Sequence, residues 1–239
     1  MKRAMKQIGM IFIMLIVLSG CRGTDPKDTV IEEIMGSDAI ENDDRTITRE
    51  ECITGIMRLV GVNDNLAKGY TGEMIETIGP DGEICRSITV FHGWIYMDTS
   101  DGYIYAAKWN GITGDDVNEE FFRPKEDASI QDCLGFMLRC LVDRSKVTEE
   151  RVMDLAVEKG LIEEGEYSEK QAMESITEKE FIEFLSRMLE SERYLYFEPT
   201  DTATNPAHID QTGEKRYIDW ILEQGNANFI EERAENSQT

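Results

Sequence analysis

Histidine and basic residues are scarce in this chain of 239 residues, which contains 2 His, 25 Lys and Arg, and 48 Asp and Glu. The histidines, His92 and His208, leave little material for a histidine-based catalytic triad or a histidine-rich metal site. The formal net charge of -23 disfavours binding to nucleic acid, because phosphate contacts need Lys and Arg. It equally disfavours adsorption to anionic lipid through a basic face. We therefore expect no nucleic-acid partner.

The sequence also lacks the short motifs that carry catalysis or metal binding. It contains no Gly-x-Ser-x-Gly, no phosphate-binding loop, no His-Glu-x-x-His, no EF-hand loop and no Cys-x-x-Cys. Acidic residues are so numerous that pairs of carboxylates arise by chance, so pairing alone identifies no acid–base couple. The prediction is a protein that is not an enzyme, with no catalytic residue, no metal site and no cofactor.

The N-terminus carries a secretion signal that ends in a cysteine. A cationic start, Met1-Lys2-Arg3, precedes an apolar run over residues 8–18 that is short for a membrane span. The next residues, Leu18-Ser19-Gly20-Cys21, resemble the bacterial lipobox. This resemblance implies that the signal peptide, residues 1–20, is removed and that the Cys21 thiol is acylated with diacylglycerol.

A lipid on Cys21 implies where the protein is located. A diacylglycerol group supplies two acyl chains, which anchor stably where a single chain binds reversibly. The resemblance therefore implies a lipoprotein attached to the bacterial cell membrane on its extracytoplasmic face. Residues 21–27 would form a short tether to the membrane.

The other cysteines leave two alternatives open. An extracytoplasmic protein can hold disulfides, and Cys52, Cys85, Cys133 and Cys140 could supply them. However, Cys52, Cys133 and Cys140 fall on the apolar stripes of predicted helices, where a free cysteine behaves as a small hydrophobic residue. The pattern favours buried thiols over a disulfide framework.

Three segments of the chain share one helical pattern. Each begins with Ser or Thr followed three residues later by Glu or Asp, which is typical of a capping box at a helix N-terminus. Apolar residues follow at matched helical positions, and we predict that Ile56, Met137 and Leu185 are buried at the centre of a three-helix bundle. An arginine ten residues after each cap suits the negative end of the helix dipole. The cap pairs are Thr48 and Glu51, Ser129 and Asp132, and Thr177 and Glu180, and the arginines are Arg58, Arg139 and Arg187.

Together these segments resemble S-layer homology (SLH) repeats. The family pattern is a helix, a glycine stop, an aromatic-x-Pro loop and an Ile-Thr-Arg-Ala-Glu motif that opens a second helix. The resemblance spans about residues 28–190, with an insertion after the first repeat. The matching residues are Ile47-Thr48-Arg49-Glu50-Glu51 in the first repeat, Gly111-Ile112-Thr113-Gly114 and Phe122-Arg123-Pro124 in the second, and Gly160-Leu161 and Ile176-Thr177 in the third.

The SLH resemblance implies both a fold and a binding mode. The fold would be mainly α with a small β-hairpin, in which three pseudo-repeated helix-loop-helix units pack as an SLH-like three-helix-centred bundle. SLH domains bind cell-wall polysaccharide non-covalently in grooves between repeats, and the arginine of the motif contacts the ligand. Arg49 is the matching residue here, whereas its equivalents Ile130 and Glu178 supply no cation. We expect Arg49 to contribute to ligand binding and not to stability.

The domain organisation follows from these motifs. The insertion contains β-rich runs at 88–91 and 94–97, separated by His92-Gly93, and we predict a hairpin there. The turn signal Gly79-Pro80-Asp81-Gly82 precedes it. The predicted units are the signal peptide 1–20, the tether 21–27, repeat 1 at 28–62, the insertion 63–98, repeat 2 at 99–143, repeat 3 at 147–197, and a polar C-terminal tail 198–239 with a short helix at 217–222.

Two functions are consistent with this organisation. The first is a membrane-anchored lipoprotein whose SLH-like repeats mediate non-catalytic binding in the cell envelope, with cell-wall polysaccharide as the partner. The alternative is a lipid-anchored protein–protein adaptor that has lost glycan binding and contacts another envelope protein. The number of cations in the grooves distinguishes them, because an anionic glycan needs guanidinium or ammonium partners.

Overall fold

Helices dominate the structure, a computed structural model that describes residues 25–35, 44–71, 74–78, 84–88, 96–114, 120–198 and 207–224. Within these ranges β1 (Met74–Ile78) pairs antiparallel with β2 (Ile84–Ile88), and β3 (Leu195–Tyr196) pairs with β4 (His208–Ile209). A mainly α fold with a small β-hairpin is thereby confirmed. The helices are α1 (Pro26–Met35), α2 (Arg49–Leu59), α3 (Asp64–Thr71), α4 (Gly102–Trp109), α5 (Ile130–Leu141), α6 (Val152–Glu158), α7 (Glu169–Ala172), α8 (Glu178–Glu190) and α9 (Tyr217–Gln224).

Capping boxes begin α2, α5 and α8, as the sequence pattern predicts. In each, the cap hydroxyl accepts a hydrogen bond from the backbone N–H three residues on, and the carboxylate of that residue accepts from the cap N–H. Asp132, with a shorter side chain than Glu, still reaches the Ser129 N–H at 3.3 Å. All three predicted helix starts are confirmed.

The residues just before the three caps are joined by a closed ring of backbone hydrogen bonds. Ala128 N–H donates to the Ile47 carbonyl at 2.9 Å, Ile47 N–H to the Ile176 carbonyl at 3.2 Å, and Ile176 N–H to the Ala128 carbonyl at 2.9 Å. Each of these residues precedes its cap by one position. The ring therefore holds the N-termini of α2, α5 and α8 together.

The first N–H of each of these helices is also satisfied by a neighbouring segment. A helix N-terminus leaves N–H groups without intrahelical partners, and burial of such groups without acceptors is costly. Here the acceptor is in each case a carbonyl two residues before a ring residue. The bonds run from Arg49 to Glu126, from Ile130 to Glu174 and from Glu178 to Arg45, at 2.9, 3.1 and 2.7 Å.

The core lies along these helices, with α2 packed against both α5 and α8. Ile56, Met137 and Leu185 stand eight residues after their caps and are fully buried, which confirms their predicted burial. Four residues after the caps, Cys52, Cys133 and Phe181 are likewise fully buried. Cys140 is also buried, so three of the predicted buried thiols are confirmed.

Glycines end the two shorter helices that precede α5 and α8. Gly111 follows α4 with φ +71° and Gly160 follows α6 with φ +70°, a left-handed backbone that glycine adopts without strain. The next residues close the helix ends, since Ile112 N–H donates to Ala107 and Leu161 N–H to Ala156. The predicted glycine stops are confirmed.

The β-hairpin that the structure describes lies earlier in the chain than the predicted one. The strands are β1 and β2, so the Gly79-Pro80-Asp81-Gly82 turn signal lies between the strands and not before them. Of the predicted second strand, Met97 lies in a turn, and residues 89–95 lie outside the described ranges. The five-residue connection between residues 78 and 84 begins with this turn signal and allows the two strands to pair antiparallel.

The structure differs from the prediction in the segments beside the three predicted repeats as well. The insertion contains α3, which buries Leu66, Ala67 and Tyr70 and which the sequence interpretation did not include. Helix α1 begins at Pro26, within the segment 21–27 that the sequence predicts as a tether. The C-terminal helix is confirmed as α9, and the β3–β4 pair beside it was not expected.

A partly buried ion pair ties the residue after β4 to the segment that precedes β3. Arg193 Nη2 lies 2.9 Å from Asp210 Oδ2, with side chains 10% and 11% exposed. Hydrogen bonds from Thr212, then from Arg193, lower the pKa of Asp210 to about 2. Because an unfolded aspartate titrates at about 3.9, this stabilisation is present above about pH 4 and is lost as the pH falls through about 2.

Asp210→Asn should therefore lower the urea midpoint of unfolding at neutral pH, because it leaves Arg193 without its anion. The difference from the wild type should shrink as the pH falls from about 4 to about 2, where the wild-type carboxylate is itself being protonated. Urea unfolding at a series of pH values measures it. A difference that stays constant over this range would contradict the prediction.

Candidate functional site

A concave groove of about 440 Å³ lies beside the N-termini of α2 and α5. Three arginines and four carboxylates line it, together with hydroxyl and amide side chains. The groove thus combines cations with many hydrogen-bonding groups. The arginines are Arg49, Arg123 and Arg139, the carboxylates belong to Glu126, Asp127, Asp132 and Glu149, and Ser129 and Gln131 add neutral polar groups.

Arg49, the predicted ligand contact, lines this groove at the first position of α2. Its Nε donates to the Phe122 carbonyl at 2.9 Å, and its Nη1 lies 2.7 Å from Asp132 Oδ2. The guanidinium carbon also lies 5.0 Å from the centroid of the Phe122 ring and 5.5 Å from that of Phe136, within cation–π range. The side chain is 16% exposed. Arg49 therefore links α2 to α5 and to the loop before α5.

These contacts correct the expectation that Arg49 contributes to binding alone. A guanidinium with an ion pair, a carbonyl acceptor and two aromatic neighbours contributes to stability as well. The partners are Asp132 and Phe122, both distant in sequence, so the N-terminal position of Arg49 on its helix could not reveal them. A ligand carboxylate would have to share or displace the contact with Asp132.

Arg123 is the accessible cation of the groove, and the sequence interpretation did not select it. Its side chain is 63% exposed, with Glu126 Oε2 3.9 Å away. Its backbone is held at φ +59°, uncommon for a residue other than glycine. The Asp98 carboxylate fixes this conformation by accepting from the N–H groups of Phe122, at 2.9 Å, and Arg123, at 2.6 Å. Backbone strain of this kind is concentrated at functional sites, and here it presents a guanidinium to the groove.

Arg139 belongs to the set of arginines ten residues after the caps. Its Nη1 donates to the Ile112 carbonyl, just past the end of α4, at 3.4 Å. In the third segment Arg187 donates to the equivalent Leu161 carbonyl at 2.8 Å. Arg187 also pairs with Glu166 and lowers the pKa of that carboxyl. Arg139 and Arg187 therefore link α5 to the end of α4 and α8 to the end of α6, a role more specific than the dipole effect expected from sequence.

The two positions equivalent to Arg49 carry no cation, as predicted, and their side chains have different surroundings. Ile130 is 3% exposed and apolar. Glu178 is 2% exposed and receives two hydrogen bonds from Arg45, from Nε at 3.2 Å and from Nη2 at 2.9 Å. Arg45 Nη1 also contacts Glu51 at 2.7 Å. Of the three equivalent positions, Arg49 alone supplies a cation.

Cys21, the predicted lipid-attachment residue, lies outside the described ranges. Within those ranges no helix is long and apolar enough to cross a membrane. Nor do the described residues contain a cluster of three or more His, Cys, Asp or Glu side chains that could hold a metal ion.

Comparisons with protein-family models, with curated proteins and with solved structures found no match to this chain. The similarity to SLH repeats consequently depends on the quoted motifs, and function has to be argued from the groove itself.

Proposed function

We propose that this chain is a lipoprotein anchored by diacylglycerol on Cys21 to the extracytoplasmic face of a bacterial membrane, whose SLH-like repeats bind cell-wall polysaccharide without catalysis. The binding site is the groove that contains Arg49, Arg123 and Arg139. The supporting observation is that three guanidinium groups line one concave surface of a strongly acidic protein.

The groove suits an anionic sugar better than a neutral one or a bare anion. Guanidinium groups recognise carboxylates through paired hydrogen bonds, and Arg123 is exposed enough to make the first contact. The four lining carboxylates accept from sugar hydroxyls, while Ser129 and Gln131 both donate and accept. This mixture favours a ligand that carries many hydroxyls and few negative charges.

The adaptor function is the second candidate, and specific contacts favour it. The Arg49 guanidinium already has Asp132 and the Phe122 carbonyl as partners, which lowers its capacity for an anion. Met173 lines the same groove with 63% of its surface exposed, an apolar feature more typical of protein contacts than of polysaccharide sites. An adaptor would use the groove for a partner protein that carries basic residues, because the surface is acidic.

Binding to purified cell-wall sacculi, before and after removal of their polysaccharide, separates these functions. The wild type should sediment with intact sacculi and not with stripped ones. Arg123→Gln should weaken binding at least tenfold, because it removes an exposed charge with little effect on packing. Lys146→Gln is the matched control, since Lys146 is exposed and lies outside the groove.

Arg49→Gln should also abolish sacculus binding. Because Arg49 has internal partners, a loss of binding by this variant counts only if the variant stays folded at the temperature of the assay. Thermal unfolding of each variant measures this. Equal binding of the wild type and Arg123→Gln, or no binding by the wild type, would exclude the glycan function and leave the adaptor function.

Lipidation makes an independent prediction. Metabolic labelling with a palmitate analogue should mark the wild type and not Cys21→Ser, because the thioether to diacylglycerol forms at that thiol. Gel fluorescence of the membrane fraction measures it, with Cys140→Ser as a control that keeps the label. Equal labelling of Cys21→Ser and the wild type would show that Cys21 is not the attachment site.

A further inference from the structure

Helix α1 packs against α8, and its N-terminus lies at the C-terminal end of that helix. Lys27, in the first turn of α1, has its Nζ 2.7 Å from Oε1 of Glu190, the last residue of α8. Near the other end of α1, the Ile34 carbonyl accepts a hydrogen bond from Arg58 Nη1 of α2 at 3.2 Å. Three apolar side chains of α1 are buried. Helix α1 is therefore part of the core, and its first turn is held beside the end of α8.

The groove lies at the opposite end of the bundle. The ring of backbone hydrogen bonds joins the N-termini of α2, α5 and α8, and the groove is beside the first turns of α2 and α5. Helix α8 spans 13 residues, so about 18 Å separates its two ends. We call the N-terminal end of these three helices the groove end and their C-terminal end the base.

The C-terminal part of the chain closes the base. Phe197 N–H donates to the carbonyl of Val60, just past α2, at 2.8 Å. The Tyr217 hydroxyl donates to the carbonyl of Cys140, in the last turn of α5, at 3.0 Å, and the Tyr217 N–H donates to the carbonyl of Ser191, just past α8, at 3.2 Å. The C-termini of the three helices therefore meet at one end of the molecule, beneath Phe197 and the start of α9.

We propose that the base is the membrane-facing surface of this protein and that the groove faces away from the bilayer, toward the cell wall. The proposal rests on the lipid anchor at Cys21 proposed above, because it follows from where the anchored segment enters the fold. Cys21 is five residues before Pro26, the first residue of α1, and five residues span at most about 18 Å. The anchor therefore holds the first turn of α1, and the base beside it, close to the bilayer.

Charge favours this upright orientation over one in which the bundle lies on its side. The formal net charge is -23, so contact along the side of the bundle would bring an acidic surface against anionic headgroups. The upright bundle keeps most of this charge away from the membrane surface. It also presents the groove about 18 Å beyond the base, where a wall polymer reaches it without passing between protein and bilayer.

Resonance energy transfer from a fluorophore on the protein to a rhodamine-labelled lipid measures which end is nearer to the bilayer. Three exposed glutamates supply matched positions along α8. Glu174 precedes the helix at the groove end, Glu183 lies within it, and Glu192 follows it at the base. Each is replaced in turn by cysteine and labelled with a maleimide fluorophore.

The native cysteines do not interfere with this labelling. The folded protein is labelled in a chain that carries Cys85→Ser. The remaining cysteines of the described ranges are free thiols buried in the core, which a maleimide does not reach in the folded protein. They are Cys52, Cys133 and Cys140.

The lipidated protein is purified in detergent from cells that export it and is reconstituted into vesicles of phosphatidylcholine and phosphatidylglycerol. We expect transfer to decrease in the order Glu192→Cys, Glu183→Cys, Glu174→Cys. Since about 18 Å separates the ends of α8, transfer from position 192 should exceed transfer from position 174 at least about twofold. Glu192→Cys combined with Cys21→Ser is the control, and without the lipid it should show no transfer.

The possible failures are distinguishable. Equal transfer from the three positions, or the reverse order, from protein that stays on the vesicles would overturn the orientation and leave the lipid anchor intact. Protein with Cys21 that does not associate with vesicles would overturn the anchor and the orientation together. Transfer from the Cys21→Ser control that equals transfer from the lipidated protein would show direct adsorption of the body to lipid and would also overturn the proposal. Sacculus binding is measured separately, so loss of the glycan function leaves the order of transfer unchanged.

Discussion

Arg45→Ala is expected to lower the free energy of unfolding by about 3 kcal/mol, because it leaves the Glu178 carboxylate buried without its cation. Glu178 is 2% exposed, and Arg45 supplies two hydrogen bonds to it. Breaking a buried ion pair by removing one partner costs about 3–5 kcal/mol, and the 39% exposure of Arg45 places this pair at the lower end. Urea unfolding at neutral pH measures the change.

The chain itself offers the compensating variant. Ile130 occupies in α5 the position that Glu178 occupies in α8, and there an apolar side chain is buried without a charged partner. Arg45→Ala combined with Glu178→Ile should therefore recover at least half of the loss, because no charge is then left buried.

The surface pair of Lys215 with Glu223 provides the control, since its side chains are 36% and 59% exposed. Lys215→Ala should cost less than about 1 kcal/mol. A loss below about 1 kcal/mol for Arg45→Ala would show that Glu178 is hydrated in solution.

The features predictable from sequence are those whose cause lies within a few residues. A capping box joins residues three apart, so Thr48 and Glu51 predict the start of α2 from local sequence alone. A glycine with positive φ after a short apolar helix is equally local, as at Gly111 and Gly160.

The hairpin shows how a correct signal led to a wrong boundary. Gly79-Pro80-Asp81-Gly82 correctly indicates a turn, but the apolar and aromatic run over 88–97 predicts the strand pair at a later position than β1 and β2. β-propensity depends on what a strand packs against, so richness in aromatics did not locate the strands. Tyr96 instead joins the core beside Phe122, with ring centroids 5.4 Å apart.

The groove could be predicted only in part because its contacts join distant segments. Arg49 was selected from its motif, whereas its partners lie at Phe122 and Asp132, and the conformation of Arg123 depends on the Asp98 carboxylate. The role of Arg45 is unpredictable from sequence for the same reason, since its main partner Glu178 belongs to the third segment. These pairs form because the ring of backbone hydrogen bonds brings the three segments together, and the sequence alone does not reveal that ring.

Leu185→Ala should cost about 2–5 kcal/mol in the free energy of unfolding, because it removes buried methyl groups and leaves a cavity. Leu185 has no exposed surface on α8, and its equivalents Ile56 on α2 and Met137 on α5 are buried as completely. Urea unfolding measures the loss, and Leu222→Ala on α9 is the matched control, since Leu222 is 46% exposed and should change stability by less than about 0.5 kcal/mol.

The equivalence of the three segments sharpens this test. Met137 occupies in α5 the position of Leu185 in α8, so Leu185→Met introduces a residue that the same position already holds elsewhere in the chain. Because Leu and Met have similar volumes, it should cost less than about 1.5 kcal/mol, well below the cost of Leu185→Ala. If Leu185→Ala costs no more than Leu222→Ala, Leu185 is not in the core and the shared register of the three helices is wrong. If Leu185→Met costs as much as Leu185→Ala, the position is buried but its shape, and not its volume, decides stability.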